Sequence, residues 1–161
     1  MIRQIILCTI ILIFFSVAYG QERYFPHYTT ADGLPSNTVY KVVKDERGFL
    51  WLATSNGICR FDGHRFETFS LKGLVNDVEF IDIYIGKQGR IWFIPFSGDV
   101  LLYDGSTFQN GKDFFGTSFQ SVLQIYEDDF DNVWIVKQRA DIFRFHLSSR
   151  KLTAIKGRAY T

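Results

Sequence analysis

Short runs of alternating or continuous apolar residues, each closed by glycine, asparagine, aspartate or serine, fill the chain from residue 38 onward. This is the pattern of half-buried and buried strands joined by tight turns. The first group reads as strands at Thr38–Lys44, Phe49–Thr54, Ile58–Asp62 and Phe66–Ser70, with turns at Asp45–Gly48, Ser55–Gly57 and Asp62–His64. A second reads as Val78–Ile85, Arg90–Pro95, Val100–Asp104 and Phe108–Asn110, and a third as Phe119–Glu127, Val133–Lys137, Ile142–His146 and Thr153–Lys156.

The groups share a period. Trp51, Trp92 and Trp134 are 41 and 42 residues apart, and each follows a turn and one apolar residue: "GFLW", "GRIW" and "DNVW". Gly48 and Gly89 mark that turn, and Asp131 replaces the glycine in the third copy. An aromatic follows each tryptophan at 10 or 11 residues, as Phe61, Tyr103 and Phe145. In the first two copies Asp-Gly comes next, a strong hairpin signal. Four short strands every forty-odd residues is the signature of a propeller blade, a four-stranded antiparallel sheet. The fold class expected is all-β: a partial β-propeller of about three four-stranded antiparallel blades, preceded by an N-terminal signal peptide or anchor helix.

The divisions that follow are a signal peptide at 1–20, a connector at 21–37, and blades at 38–70, 71–112 and 113–161, the last degenerate. Residues 1–20 have a cation at Arg3, an apolar run from Ile5 to Val17 and the small-x-small site Ala18-Tyr19-Gly20. That is the layout of a secretory signal, with an uncleaved membrane anchor as the alternative. The localisation expected is the periplasm or cell envelope. "GLPSNTV" at 33–39 delivers the chain to the first strand, Gly33 supplying free dihedrals and Pro35 a fixed φ.

Composition narrows the function classes. Aromatics make up 17% of the chain, which suits pleated, half-buried surfaces. Lys and Arg number 18 against 17 Asp and Glu, and loss of residues 1–20 removes only Arg3. Such a neutral balance gives no surface for nucleic acid. Only Cys59 remains beyond the leader, so no internal disulfide or cysteine metal site is expected, and Cys59 reads as a small core residue.

Chemistry is sparse. The acids nearest strands, Glu79, Asp82, Asp99 and Asp141, fall in no catalytic motif, and sequence does not place a glycosidase-like pair. Asp45, Glu46, Asp128, Asp129 and Asp131 could hold calcium in a turn, but solvated or capping roles fit better, and Asp45 reads as a turn cap. The tryptophans could stack on sugars; their place in each second strand favours packing between blades. No catalytic residue, metal site or cofactor is expected. Strand order puts the loops before each first strand and between each second and third strand at one rim. Asn37, Asn56, Ser97 and Arg139 are therefore the ligand-binding candidates.

The stretch "YTTADGLPSNTVYKVVKDERGFLWLATSNGICRFDGHRFETF" (28–69) resembles the two-component-regulator propeller repeats of bacterial sensor proteins. It carries their G-L-P-x-N-x-V, D-x-x-G-x-[IL]-W, A-T-x-x-G-[IL] and R-[FY]-D-G signals. The second copy has Gly86 where the first has Asp45, and the third lacks Asp-Gly after Phe145. The resemblance implies an exported sensory segment of a two-component sensor, an N-terminal fragment lacking its membrane span and histidine kinase. Its implied partners are an extracellular carbohydrate or related ligand, and further blades or a histidine kinase region encoded downstream. His27, His64 and His146 lie in turn or strand contexts, not on the long helix of a phospho-accepting histidine. The alternatives are an exported carbohydrate-active enzyme on a propeller scaffold and a purely structural interaction module.

Overall fold

The structure, a computed structural model, describes residues 25–155, so the expected leader at 1–20 lies outside the described residues. Twelve strands form three four-stranded antiparallel sheets, each in sequence order. Blade 1 contains β1 (Val39–Lys44), β2 (Leu50–Thr54), β3 (Gly57–Phe61) and β4 (Phe66–Thr68). Blade 2 contains β5 (Phe80–Ile85), β6 (Ile91–Pro95), β7 (Leu101–Tyr103) and β8 (Phe108–Asn110). Blade 3 contains β9 (Val122–Glu127), β10 (Asn132–Lys137), β11 (Ile142–His146) and β12 (Lys151–Ile155).

The repeat extends to irregularities. Pairing of the first two strands of each blade slips once, passing over Tyr40, Ile81 and Leu123 respectively. A bulge bends a strand and strengthens its twist, so the same correction is applied at the same point in every blade. Gly48 and Gly89 have φ of 93° and 78°, and Asp131, in the same place, keeps a left-handed φ of 63°. Aspartate tolerates that region better than most residues, which lets the turn survive the loss of its glycine.

Three elements escaped the periodic pattern. A turn of 3₁₀ helix at Thr30–Asp32 is closed by a capping box with Thr29, and another spans Gln138–Ala140. Helix α1 (Gly111–Phe115) is capped by the Asn110 side chain and ended by Gly116 at φ 74°. Phe119, expected to open β9, instead lies ahead of it, buried, with its backbone N–H on Asp99 Oδ1. Lys156, the expected last strand residue, lies outside the described residues.

Because strand side chains alternate between faces, each blade presents one set of residues to its predecessor and one to its successor. Trp51, Ala53 and Ile58 of blade 1 pack with Ile83, Phe93, Leu101 and Tyr103 of blade 2. Trp92, Ile94, Val100 and Leu102 of blade 2 pack with Ile125, Val133, Ile135 and Phe145 of blade 3, together with Phe115 and Phe119 from the connector. The Trp51 ring lies 5.0 Å from Tyr103, and Trp92 stacks on Phe115 at 5.4 Å. The core is therefore two interblade layers, with a tryptophan at the centre of each.

The two outer faces differ. Blade 1 turns Leu52, Cys59 and Phe61 away from blade 2, and Leu34 covers them, with Tyr28 5.0 Å from Phe61. Blade 3 turns Trp134, Val136, Ile142 and Arg144 outward, and none of these four is buried. Their counterparts in blade 2, Trp92, Ile94, Val100 and Leu102, are at most 1% exposed. The expectation that every tryptophan packs between blades thus holds for Trp51 and Trp92, and is corrected for Trp134, which has no following blade against it among the described residues.

Candidate functional site

Each blade has two ends. At one lie the connectors and the loops between its second and third strands; at the other lie the turns between its first and second and its third and fourth strands. Asn37, Asn56, Ser97 and Arg139 all fall at the first, the connector rim. Their side chains do not converge on one cleft. Asn37 Oδ1 accepts the Thr30 backbone N–H at 2.9 Å, and Asn56 Nδ2 donates to Pro35 O at 3.2 Å. Ser97 Oγ donates to Asp77 Oδ2 at 2.7 Å. Arg139 is exposed, sits at φ 68°, and makes no side-chain hydrogen bond or ion pair among the described residues.

The rim is held by links within and between blades. Ser36 and Ser55 hydroxyls meet at 2.7 Å, and Gly57 N–H donates to Val78 O of the next connector at 2.7 Å. Asp99 accepts from Ser118 Oγ at 2.8 Å and from Phe119 N–H. The Asp77 carboxyl is held below its usual range, first by the Glu79 backbone N–H and then by the Ser97 hydroxyl. These acids are structural acceptors with their oxygens already engaged. Beside them a depression of about 310 Å³ is lined by Asn76, Asp99, Asn110, Lys112, Asp113 and Gln120 among others. None of the four expected ligand residues lines it. The sequence pattern places the four candidates at this rim but does not reveal this polar set, because Lys112 and Asp113 belong to a helix that the strand periodicity hides.

At the opposite end, a cavity of about 240 Å³ lies between blades 1 and 2, lined by Asp45, Glu46, Arg47, Ile85, Gln88 and neighbouring glycines. A more open groove is lined by Phe49, Arg60, Asp62, Arg65, Phe66 and Glu67. There the Arg60 guanidinium lies 4.5 Å from the Phe49 ring and pairs with Glu67 at 2.6 Å. Among the described residues no group of three or more His, Cys, Asp or Glu side chains is placed to hold a metal ion.

The acids of the opposite turns explain the spacing of the motif. Asp45, six residues before Trp51, accepts from Arg47 N, Phe49 N and Trp51 Nε1 at 3.0, 2.9 and 2.9 Å. Asp128, six before Trp134, repeats this with Phe130 N, Asn132 N and Trp134 Nε1 at 2.8, 3.0 and 2.7 Å. Asp45 is thus a turn cap, as expected, and also the anchor of a buried indole. Burial pushes the Asp128 carboxyl up, but the bonds from Trp134, Asn132 and Phe130 outweigh it and hold the group at about 2. In the Asp-Gly turn at Asp104, the Thr107 and Ser106 backbone N–H groups likewise hold the carboxyl at about 2.

Comparison with known proteins agrees with this geometry. Residues 33–56 match the family model described as "Two component regulator propeller". A histidine kinase P4 from Formosa agariphila is 38% identical over 45 residues, which is 28% of this chain and 3% of that protein. Among solved structures, the extracellular domain described as that of hybrid two component system BT3049 from B. thetaiotaomicron matches with a TM-score of 0.65 at 22% identity. That match covers 81% of this chain and 20% of the other. The corresponding domain of BT4673 from the same organism matches with a TM-score of 0.63 at 15% identity, over 81% of this chain and 18% of that one. The chain spans about a fifth of these domains and a small fraction of the kinase. Among the described residues no helix is long and apolar enough to cross a membrane. Residues 33–56 are thus similar to the two-component regulator propeller repeat, and they lie at the start of the first of three blades of an all-β, propeller-like fold.

Proposed function

We propose that this chain is an exported, ligand-sensing segment of a two-component sensor, and that it works as an arc of a larger propeller. The observation that carries the reading is the family match at 33–56, set in the first blade of a propeller arc. The outer face of blade 3 supports the arc. Trp134 is half-buried there, and Asn132 Oδ1, buried beside Asp128, has no hydrogen-bond partner among the described residues. A buried polar atom left unpaired is costly, and a further blade against this face would supply both apolar cover and a donor. The leader-like pattern at 1–20 supports export.

The proposed ligand is an extracellular carbohydrate or related compound, bound at the connector rim where Asn56 and Arg139 are exposed. Arg139 makes no side-chain hydrogen bond or ion pair among the described residues, which leaves its guanidinium able to meet a ligand oxygen. The test is a thermal-shift screen of the chain, recovered from the cell envelope, against oligosaccharides of different linkage. One class is expected to raise Tm, and R139A to remove that shift while leaving the ligand-free Tm in place. No shift with any class, or release of shortened glycans pointing to the enzyme alternative, would overturn the reading.

A further inference from the structure

Asp45, Gly86 and Asp128 occupy one position of the repeat, six residues before Trp51, Trp92 and Trp134. The turn is the same in all three: Asp45 N donates to Phe49 O at 2.9 Å, Gly86 N to Arg90 O at 2.8 Å, and Asp128 N to Asn132 O at 3.0 Å. Blades 1 and 3 hold their tryptophan with their own aspartate. Blade 2 has no side chain at that position.

The missing carboxylate comes from the next blade. Glu127, the last residue of β9, is 2% exposed. Its Oε1 accepts Trp92 Nε1 at 2.7 Å and Arg90 Nε at 3.0 Å. Its Oε2 accepts Arg90 Nη2 at 2.8 Å and Lys87 N at 2.9 Å. Gly86 does not need glycine for its backbone, since its φ is not left-handed; a Cβ there would collide with Glu127 Oε1 and stand 2.7 Å from Glu127 Cδ. Glycine is required for the space that Glu127 fills. The other residues at the Glu127 position are Lys44 and Ile85, neither of which can accept a hydrogen bond from an indole N–H. Where Ile85 stands beside Asp45, the corresponding space is the open cavity of about 240 Å³.

We propose that the junction between blades 2 and 3 is keyed: blade 2 accepts as its successor only a blade whose first strand ends in a carboxylate. Glu127 is the key, and Gly86, Trp92 and Arg90 form the lock. The Lys87 ammonium, which donates to Asp128 O at 2.7 Å and pairs with Asp129, adds a second charge match at the edge. A blade bearing lysine at the key position, as blade 1 does at Lys44, would set an ammonium against the Arg90 guanidinium and leave the Trp92 N–H unbonded. Apolar contact is tolerant of which aliphatic or aromatic side chain supplies it, so a buried charge match of this kind adds selectivity to the junction that the apolar layer alone does not give. The keyed junction is independent of what the arc senses.

The test is a double-variant cycle in the full chain, read by urea unfolding. E127I copies blade 2's own Ile85, G86D restores the aspartate of the other blades, and the third variant carries both. Each single change is expected to shift the unfolding equilibrium by roughly 10- to 100-fold, E127I by orphaning Arg90 and Trp92, G86D by a clash of two carboxylates. The double variant is expected to regain most of the loss, because the carboxylate introduced by G86D would then hold Trp92 as Asp45 holds Trp51. Losses that simply add would overturn the proposal. If a single variant fails to fold, a folded double supports the key and an unfolded double overturns it.

Discussion

Asp45 Oδ2 accepts the indole N–H of Trp51 at 2.9 Å, closing a six-residue loop in which the same carboxylate also holds two backbone amides. Asp45→Ala would strand three donors, two of them on the turn and one inside the interblade core. The expected loss is about 2 kcal/mol or more, with a smaller loss for Asp45→Asn, which keeps one acceptor oxygen. Urea unfolding midpoints at neutral pH measure both, and an unchanged midpoint for the alanine variant would remove Asp45 from this role.

The tryptophans should separate into two classes. Trp51 and Trp92 are 0% exposed between blades, and truncation to alanine should cost about 3–5 kcal/mol each. Trp134 is only half-buried, and Trp134→Ala should cost less than half as much. Equal losses at all three sites would mean that the outer face of blade 3 is covered in solution.

Acid stability follows from Asp104 and Asp128. Both carboxyls are held at about 2 in the folded chain against an ordinary 3.8, so the unfolded chain binds their protons first as pH falls. Their contribution is complete above about pH 4 and is lost progressively down to about pH 2. Stability against pH should slope upward across that window, and D104N or D128N should flatten it. A slope unchanged in both variants would place the acid sensitivity elsewhere.

Cys59 is 0% exposed, and burial pushes its thiol up to about 12. Reaction with a thiol reagent at pH 8 should wait on unfolding and be complete within minutes in denaturant. Rapid labelling of the native chain would show that the layer under Leu34 opens readily.

The strand pattern and the 42-residue spacing made the blades legible because both are consequences of alternation and turn chemistry, which act locally. The reach from Trp51 back to Asp45 was half visible: the spacing was there, but only the fold shows the indole meeting the carboxylate. Glu127 was not legible at all. Nothing in "YEDDF" distinguishes it from a solvent-facing acid, and the Gly86 gap that it fills lies 41 residues away, in another sheet. Helix α1 escaped because five residues carry too little periodicity to stand out. The candidates Asn37, Asn56 and Ser97 lie at the connector end of their blades, as strand order implies, and their side chains bond to neighbouring loops, a use that residue type alone does not reveal.

The covering of blade 1 by Leu34 and Tyr28, against an outer face of blade 3 that nothing covers among the described residues, gives the arc a direction. A ribosome delivers the N-terminus first, so the sealed face is complete before the others exist. Each later blade then meets a finished template on one side only. Assembly from blade 1 therefore has one template at a time, and at the second junction that template also tests the charge of the strand that arrives.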